Sequence, residues 1–174
     1  FWAERDRYGE PSPVNVYYLD HDPVAAAQAH PDALIEPALT DVATLLSAAH
    51  HKVGAVAQEW SLFVKDVALP GRVDPYAFTL AGQRVFPPLH LDHELVDWVM
   101  EGRENYLWLW RCGVALLEER RYRFGGRAWS PVLWTLESPP RLPEEPQSEP
   151  PCVMPEECKI SVEGAYDAVA SYRN

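Results

Sequence analysis

Apolar positions recur every three or four residues over much of this chain, and that period predicts helices. Leu39, Val42, Leu45, Leu46 and Ala49 share one face of a helix expected from Thr40 to about Val53, with Gly54 as its stop. The longest pattern lies between Asp92 and Phe124. Leu95, Trp98 and Val99 form a first stripe there. Tyr106, Leu109, Trp110, Gly113, Leu116 and Leu117 continue it, with Gly102 as a bend or break between the two. Asp92 is read as the cap, and Glu94 puts negative charge in the first turn, where the helix dipole favours it. Arg120, Arg121 and Arg123 crowd the last turn before Gly125-Gly126. This stretch is the expected central core helix.

The shorter elements follow from local signals. Val14 to Leu19 is a β-branched and aromatic run, expected as a short strand. Asp22-Pro23 pairs a capping side chain with proline at the first helical position and predicts a helix from Ala25 to His30, interrupted by Pro31 and Pro37. A short helix is expected around Trp60–Val67, with a turn at Pro70-Gly71 and a close at Pro87-Pro88. Ser130-Pro131 predicts another helix start, running through Glu137. Residues 138–157 are proline-rich and acidic, expected as an extended strap on the domain or as a linker. Ser161 is read as the cap of a final helix ending near Tyr172. The fold class is therefore mainly α. A single helical domain over 14–174 would carry a short N-terminal strand and the 138–157 strap, preceded by an N-terminal arm over 1–13.

Composition narrows the function. The net charge is -11, and three of the 15 basic residues are lysine (Lys52, Lys65 and Lys159), which argues against non-specific nucleic-acid binding through phosphate neutralisation. The three cysteines, Cys112, Cys152 and Cys158, make an odd count that does not build a disulfide framework. No apolar stretch has the length of a membrane span, and residues 1–13 are too polar for a signal peptide. A cytoplasmic protein, without a membrane role and without a cofactor, is expected.

Candidate chemistry is sparse. His90, Asp92, His93 and Glu94 are the densest potential metal ligands, but HExxH is absent, so a helix cap with polar neighbours is preferred and no metal is assigned. His50 and His51 close a helix, where the dipole favours them. Glu118 and Glu119 lie among arginines and are read as ion-pair partners. No glycine-rich phosphate loop and no GxSxG elbow occurs. Arg120, Arg121, Arg123 and Arg127, with Tyr122, Phe124 and Trp129, form the one basic and aromatic cluster, able to grip phosphates and stack a base or simply to neutralise a helix end.

From Val14 onward the chain resembles a family of small, largely uncharacterised bacteriophage and bacterial proteins. Asn15-Val16-Tyr17-Tyr18-Leu19-Asp20 followed by Asp22-Pro23 is similar to the family's MNIFYLD-like opening and DP-initiated helix. With Val14 in place of the initiating Met, residues 1–13 are an upstream extension. Leu45-Leu46-Ser47-Ala48-Ala49-His50 matches an LLSTAH segment. His93, Trp98, Asn105, Tyr106, Trp108 and Leu109 match a second segment, in which Met100 replaces an Arg. Glu118, Glu119, Tyr122, Arg123, Phe124 and Gly125 match a third, and Met154-Pro155-Glu156-Glu157-Cys158-Lys159 resembles the family's tail.

The departures share a direction. His30 and Asp32 remain where Pro31, Ala33, Leu34 and Pro37 replace the family's Cys, Lys, His and second Lys; Gly126 and Ala128 replace a further Lys and His. Scaffold residues stay, and reactive or anion-binding ones are lost. The resemblance therefore implies a diverged, non-catalytic binding protein in phage or bacterial nucleic-acid metabolism, acting on another protein, in its extreme form as a DNA mimic. A distant similarity to pyrimidine-dimer DNA glycosylases implies the alternative, a DNA- or nucleotide-directed enzyme of base-excision type. His30, Asp32, Asp41, His50, His93, Asn105, Glu118 and Arg123 would then line one pocket.

Overall fold

Helices dominate the computed structural model, which describes residues 14–54, 77–78, 84–87, 89–126 and 131–173. The expected arm over 1–13, the helix around Trp60–Val67, the Pro70-Gly71 turn, Pro88, Arg127, Trp129 and Ser130 lie outside those residues. Helix α1, Pro23–Ala29, starts at Asp22, whose carboxylate accepts from the amides of Val24 and Ala25 at 2.9 and 2.8 Å. A 3-10 turn, Asp32–Leu34, then leads straight into α2, Ile35–Gly54. The second helix thus begins at Ile35 rather than Thr40. Pro37 falls in its first turn, where a missing N–H forfeits no intrahelical bond.

Gly102 separates α3, Glu94–Glu101, from α4, Arg103–Phe124, with φ -167° and ψ 156°. The α3 cap is His93, not Asp92: the ring Nδ1 accepts from the Leu95 amide at 3.1 Å, while Asp92 is exposed. Helix α4 packs against α1, α2 and α3 and carries much of the core through Tyr106, Leu109, Cys112 and Leu116. Gly113 lets α2 come close: a Cβ there would stand 2.7 Å from Val42 Cγ1 and 3.1 Å from Leu133 Cδ1. The helix ends at Gly125, φ 66°, whose amide bonds to the Arg121 carbonyl. Helix α5, Val132–Thr135, is one turn long and stops before Glu137, yet its Val132 and Leu133, and Leu136 beyond it, are buried.

Residues 14–20 pair with no strand. The amides a ladder would use go to side chains instead: Asn15 N donates to Asp41 and Tyr17 N to His30. The described strands form two antiparallel pairs, β1 (Ala77–Phe78) with β2 (Arg84–Val85), and β3 (Ser161–Val162) with β4 (Ala165–Tyr166), the latter a hairpin. Ser161 lies in that hairpin and caps nothing. Glu163 and Gly164, at φ 53° and 87°, make its tight turn. The final helix, α6, Ala168–Arg173, is capped by Asp167 at 2.8 Å from the Ala170 amide. Residues 138–155 carry neither helix nor strand; a 3-10 turn follows at Glu156–Cys158. Among the described residues no helix is long and apolar enough to cross a membrane.

Candidate functional site

The eight side chains expected to share a pocket fall into separate groups, most of them closed by partners within the chain. His30 is buried. Its Nδ1 donates to the Ala26 carbonyl at 2.8 Å and its Nε2 accepts from the Tyr17 amide at 3.3 Å, which defines a neutral tautomer. Burial also lowers its pKa. This ring joins the segment before α1, at Tyr17, to the end of that helix.

Arg123 works on the same helix end from outside. Its guanidinium donates to the carbonyls of His30 and Gln28, both at 2.8 Å, to Asp32 at 2.9 Å and to Glu119 at 2.8 Å. Carbonyls that α1 leaves unpaired are thereby satisfied by α4. His30, Asp32 and Arg123 do come together, but as a helix clamp. Replacing Arg123 by lysine keeps the charge and loses the fork; stability is expected to fall by about 1–2 kcal/mol. Urea unfolding of Arg123→Lys measures this, and an unchanged midpoint would remove the clamp from the account.

Asn105 is likewise consumed. Its Nδ2 donates to the Trp98 carbonyl at the end of α3 (2.9 Å) and to Ser148 Oγ (2.8 Å), and its Oδ1 accepts from the Ser148 amide (2.9 Å). His50 belongs to a buried relay: its Nε2 lies 2.9 Å from Tyr106 Oη, which donates to the Leu136 carbonyl at 2.7 Å. Burial, with smaller help from neighbouring His51, lowers the His50 pKa to about 4, and the Ser138 backbone partly opposes the shift. The tyrosine pKa is raised by the same burial. His51 Nε2 donates to the Phe86 carbonyl at 2.9 Å. Neither histidine therefore serves as a charged partner of the α2 dipole: desolvation in the core outweighs the helix-end field.

Asp41 and His93 form the remaining grouping. One Asp41 oxygen accepts from both Asn15 N (2.7 Å) and Asn15 Nδ2 (3.0 Å). Burial raises this carboxyl's pKa, while Asn15, His90 and His93 pull against it. His93 is lowered by burial and by His90, with Glu94 and Asp41 opposing. The His90 and His93 rings meet edge to face at 6.0 Å, and His90 holds φ 57°, a left-handed backbone that a non-glycine residue rarely adopts. Among the described residues no group of three or more His, Cys, Asp or Glu could hold a metal ion.

The basic cluster disperses along the end of α4. Arg120 pairs with Glu36 and Arg123 is clamped, as above. Arg121, Tyr122 (87% exposed) and Phe124 (53%) face solvent, and exposed Glu118 shares an open hollow with Arg121, Tyr122 and Gly126. Glu119 is an ion-pair partner; among the described residues no salt bridge is found for Glu118. Arg127 and Trp129 lie outside the described residues.

Tyr106, Ser148 and Asn15 were not among the expected site residues. Tyr106 stands beside Asn105 in the second matched segment, so adjacency was the available signal; nothing near Ser148 or Asn15 pointed to their partners 43 and 26 residues away. Every buried side-chain nitrogen and oxygen among the described residues has a hydrogen-bond partner. Comparisons with protein-family models, with curated proteins and with solved structures found no match to this chain.

Proposed function

We propose that this chain is a non-catalytic binding protein, a diverged relative of the phage-type family it resembles, acting through contacts with another protein in phage or bacterial nucleic-acid metabolism. The observation that carries the reading is the closure of His30, His50 and Arg123: each has its hydrogen-bonding capacity spent inside the fold, leaving little to offer a substrate. The net charge of -11 works in the same direction, since a duplex is repelled rather than steered in. A cytoplasmic setting suits the odd cysteine count.

One observation favours the second reading, a base-excision type of enzyme. Asp41 is a half-buried carboxyl with raised pKa, close enough to His90 and His93 to feel both, which is how acid–base groups are tuned. Fluorescent duplex DNA, intact and UV-irradiated, at low and at moderate salt, separates the two. The expected result is neither lesion-selective binding nor strand incision. Incision of irradiated duplex that disappears in Asp41→Asn would establish the enzyme and remove the binding-protein reading.

A further inference from the structure

The proline-rich segment is held in a manner that resembles a bound peptide more than a loop. Three of its backbone carbonyls accept hydrogen bonds from the helical body: Pro143 O from the Arg103 amide at 2.8 Å, Ser148 O from Trp98 Nε1 at 3.1 Å, and Pro151 O from Tyr172 Oη at 3.0 Å. Asn105 reads Ser148 twice more, through its amide and its hydroxyl. Most of the segment's residues, Glu145, Pro146 and Glu149 among them, are exposed, while Gln147 Nε2 donates to Tyr18 Oη at 3.2 Å and Glu144 accepts from Arg103 at 3.5 Å. Pro150 is buried. It closes a cavity of about 10 Å³, room for at most one water, walled by Tyr18, Trp98, Trp108 and Tyr172.

The receiving surface has the chemistry of proline recognition. Tyr18 and Trp108 meet with their rings tilted by 40° and centroids 4.6 Å apart, and Trp98 is edge-on to both at 6.5 and 6.1 Å. An aromatic trough fringed by an indole N–H and a tyrosine hydroxyl suits an extended proline-rich chain. Such a chain has its φ angles fixed near about -65°, so it loses little entropy on binding and leaves its carbonyls unpaired. Gly102 supplies close approach at the break between α3 and α4: a Cβ there would lie 3.1 Å from Glu145 Cβ and 3.3 Å from its carbonyl oxygen.

We propose that the trough formed by Tyr18, Trp98, Asn105, Trp108 and Tyr172 is a proline-recognition site. Its partner is an extended proline-rich segment of another protein, and residues 143–151 are the built-in competitor that fills it in the isolated chain. This rests on the binding-protein reading and names the chemistry of the partner. The competing segment sits at an effective concentration on the order of millimolar because it is tethered, so the unaltered chain admits an outside peptide poorly.

The test uses the full chain with Ser148→Gly, Pro150→Gly and Pro151→Gly together, which weaken the competitor and leave the trough intact. A fluorescein-labelled peptide with the sequence of residues 141–153 is titrated into this variant and into the unaltered chain. The variant is expected to bind at least about tenfold more tightly, and a peptide carrying the same three substitutions to bind at least about tenfold more weakly than the natural one. Equal affinity for both chains, or for both peptides, overturns the proposal. A concentration-dependent dimer of the unaltered chain, broken by the peptide, would make a second copy the occupant and overturn the assignment to another protein. Should the variant fail to fold, hydrogen exchange on the unaltered chain decides. The Ser148 and Arg103 amides are expected to exchange at least about a hundredfold faster than the Leu116 amide in α4, through local release of the segment. Exchange at one common rate would mean the segment leaves only when the whole molecule unfolds, which sinks the idea. The irradiated-DNA assay reads the parent reading separately: failed peptide binding without incision leaves a binding protein that uses another surface.

Discussion

Acidification from about pH 7 to about pH 4 is expected to remove about 3 kcal/mol of stability through His50 alone. Burial lowers the folded-state pKa of this ring to about 4 from an ordinary 6.5. Above the ordinary value the ring is neutral in folded and unfolded chains alike, and its contribution is complete and flat. Between 6.5 and about 4 the unfolded chain holds a proton that the folded chain refuses, so each step down in pH favours unfolding. Below that range both states are protonated and the loss levels off. His30, His51 and His93 are also lowered by burial and add to the same slope. Asp41 works the other way: its carboxyl is raised, so protonation on the way down relieves a buried charge.

The term belonging to His50 is isolated by comparison with His50→Gln. A glutamine amide can still donate to Tyr106 Oη, 2.9 Å from the present ring nitrogen, but does not titrate. Urea unfolding of both proteins across this pH range should show a shallower acid limb in the variant, flatter by most of that amount. Parallel curves would mean that the ring takes up its proton in place, and the Tyr106 relay would then not be the neutral, closed network described above.

Gly113→Ala is expected to destabilise the protein by up to about 2 kcal/mol, against the rule that alanine strengthens a helix interior. Intrinsic propensity favours alanine over glycine by about 1 kcal/mol. The added Cβ, however, would stand 2.7 Å from Val42 Cγ1 and 3.1 Å from Leu133 Cδ1. Val42 lies within α2, and a β-branched side chain there has one strongly preferred rotamer, so it cannot turn aside cheaply. Relief requires α2 and α4 to part, which loosens contacts along the main helix pair, at a cost of about 1–3 kcal/mol for overpacking. Thermal unfolding measures the balance. A melting temperature raised by the substitution would mean that the two helices have slack at this point. Gly113→Leu should be worse, and Gly113→Ala with Val42→Ala should recover part of the loss, because the two positions share one contact.

The apolar spacing of α2 and of the α3–α4 region was legible because those periods are written into neighbouring residues. Leu39, Val42, Leu45, Leu46 and Ala49 are all buried, as are Leu95, Trp98, Val99, Tyr106, Leu109, Leu116 and Leu117. The Asp22-Pro23 start of α1 and the break at Gly102 are equally local, resting on one side chain or one missing one. Other local signals misled. Val14 to Leu19 has strand composition, yet the amides of Asn15 and Tyr17 found side-chain acceptors, and Ser161 lost its capping role to a hairpin that turns at Glu163 and Gly164. Composition near a residue does not reveal what a partner far along the chain will offer it.

The sequence by itself determined that the protein is mainly helical, where its core helices run, and which side chains carried any chemistry worth weighing. Tertiary structure alone decided what those side chains do. His30 and Asp32 lie 93 and 91 residues from Arg123, His50 lies 56 from Tyr106, and Asn105 lies 43 from Ser148. Each was a plausible catalyst while its surroundings were unknown, because a histidine, carboxylate or amide acts on a substrate only if folding leaves it unpaired. Here packing brought a donor or acceptor to most of them, and the requirement that buried polar atoms be satisfied turned those candidates into clamps between elements.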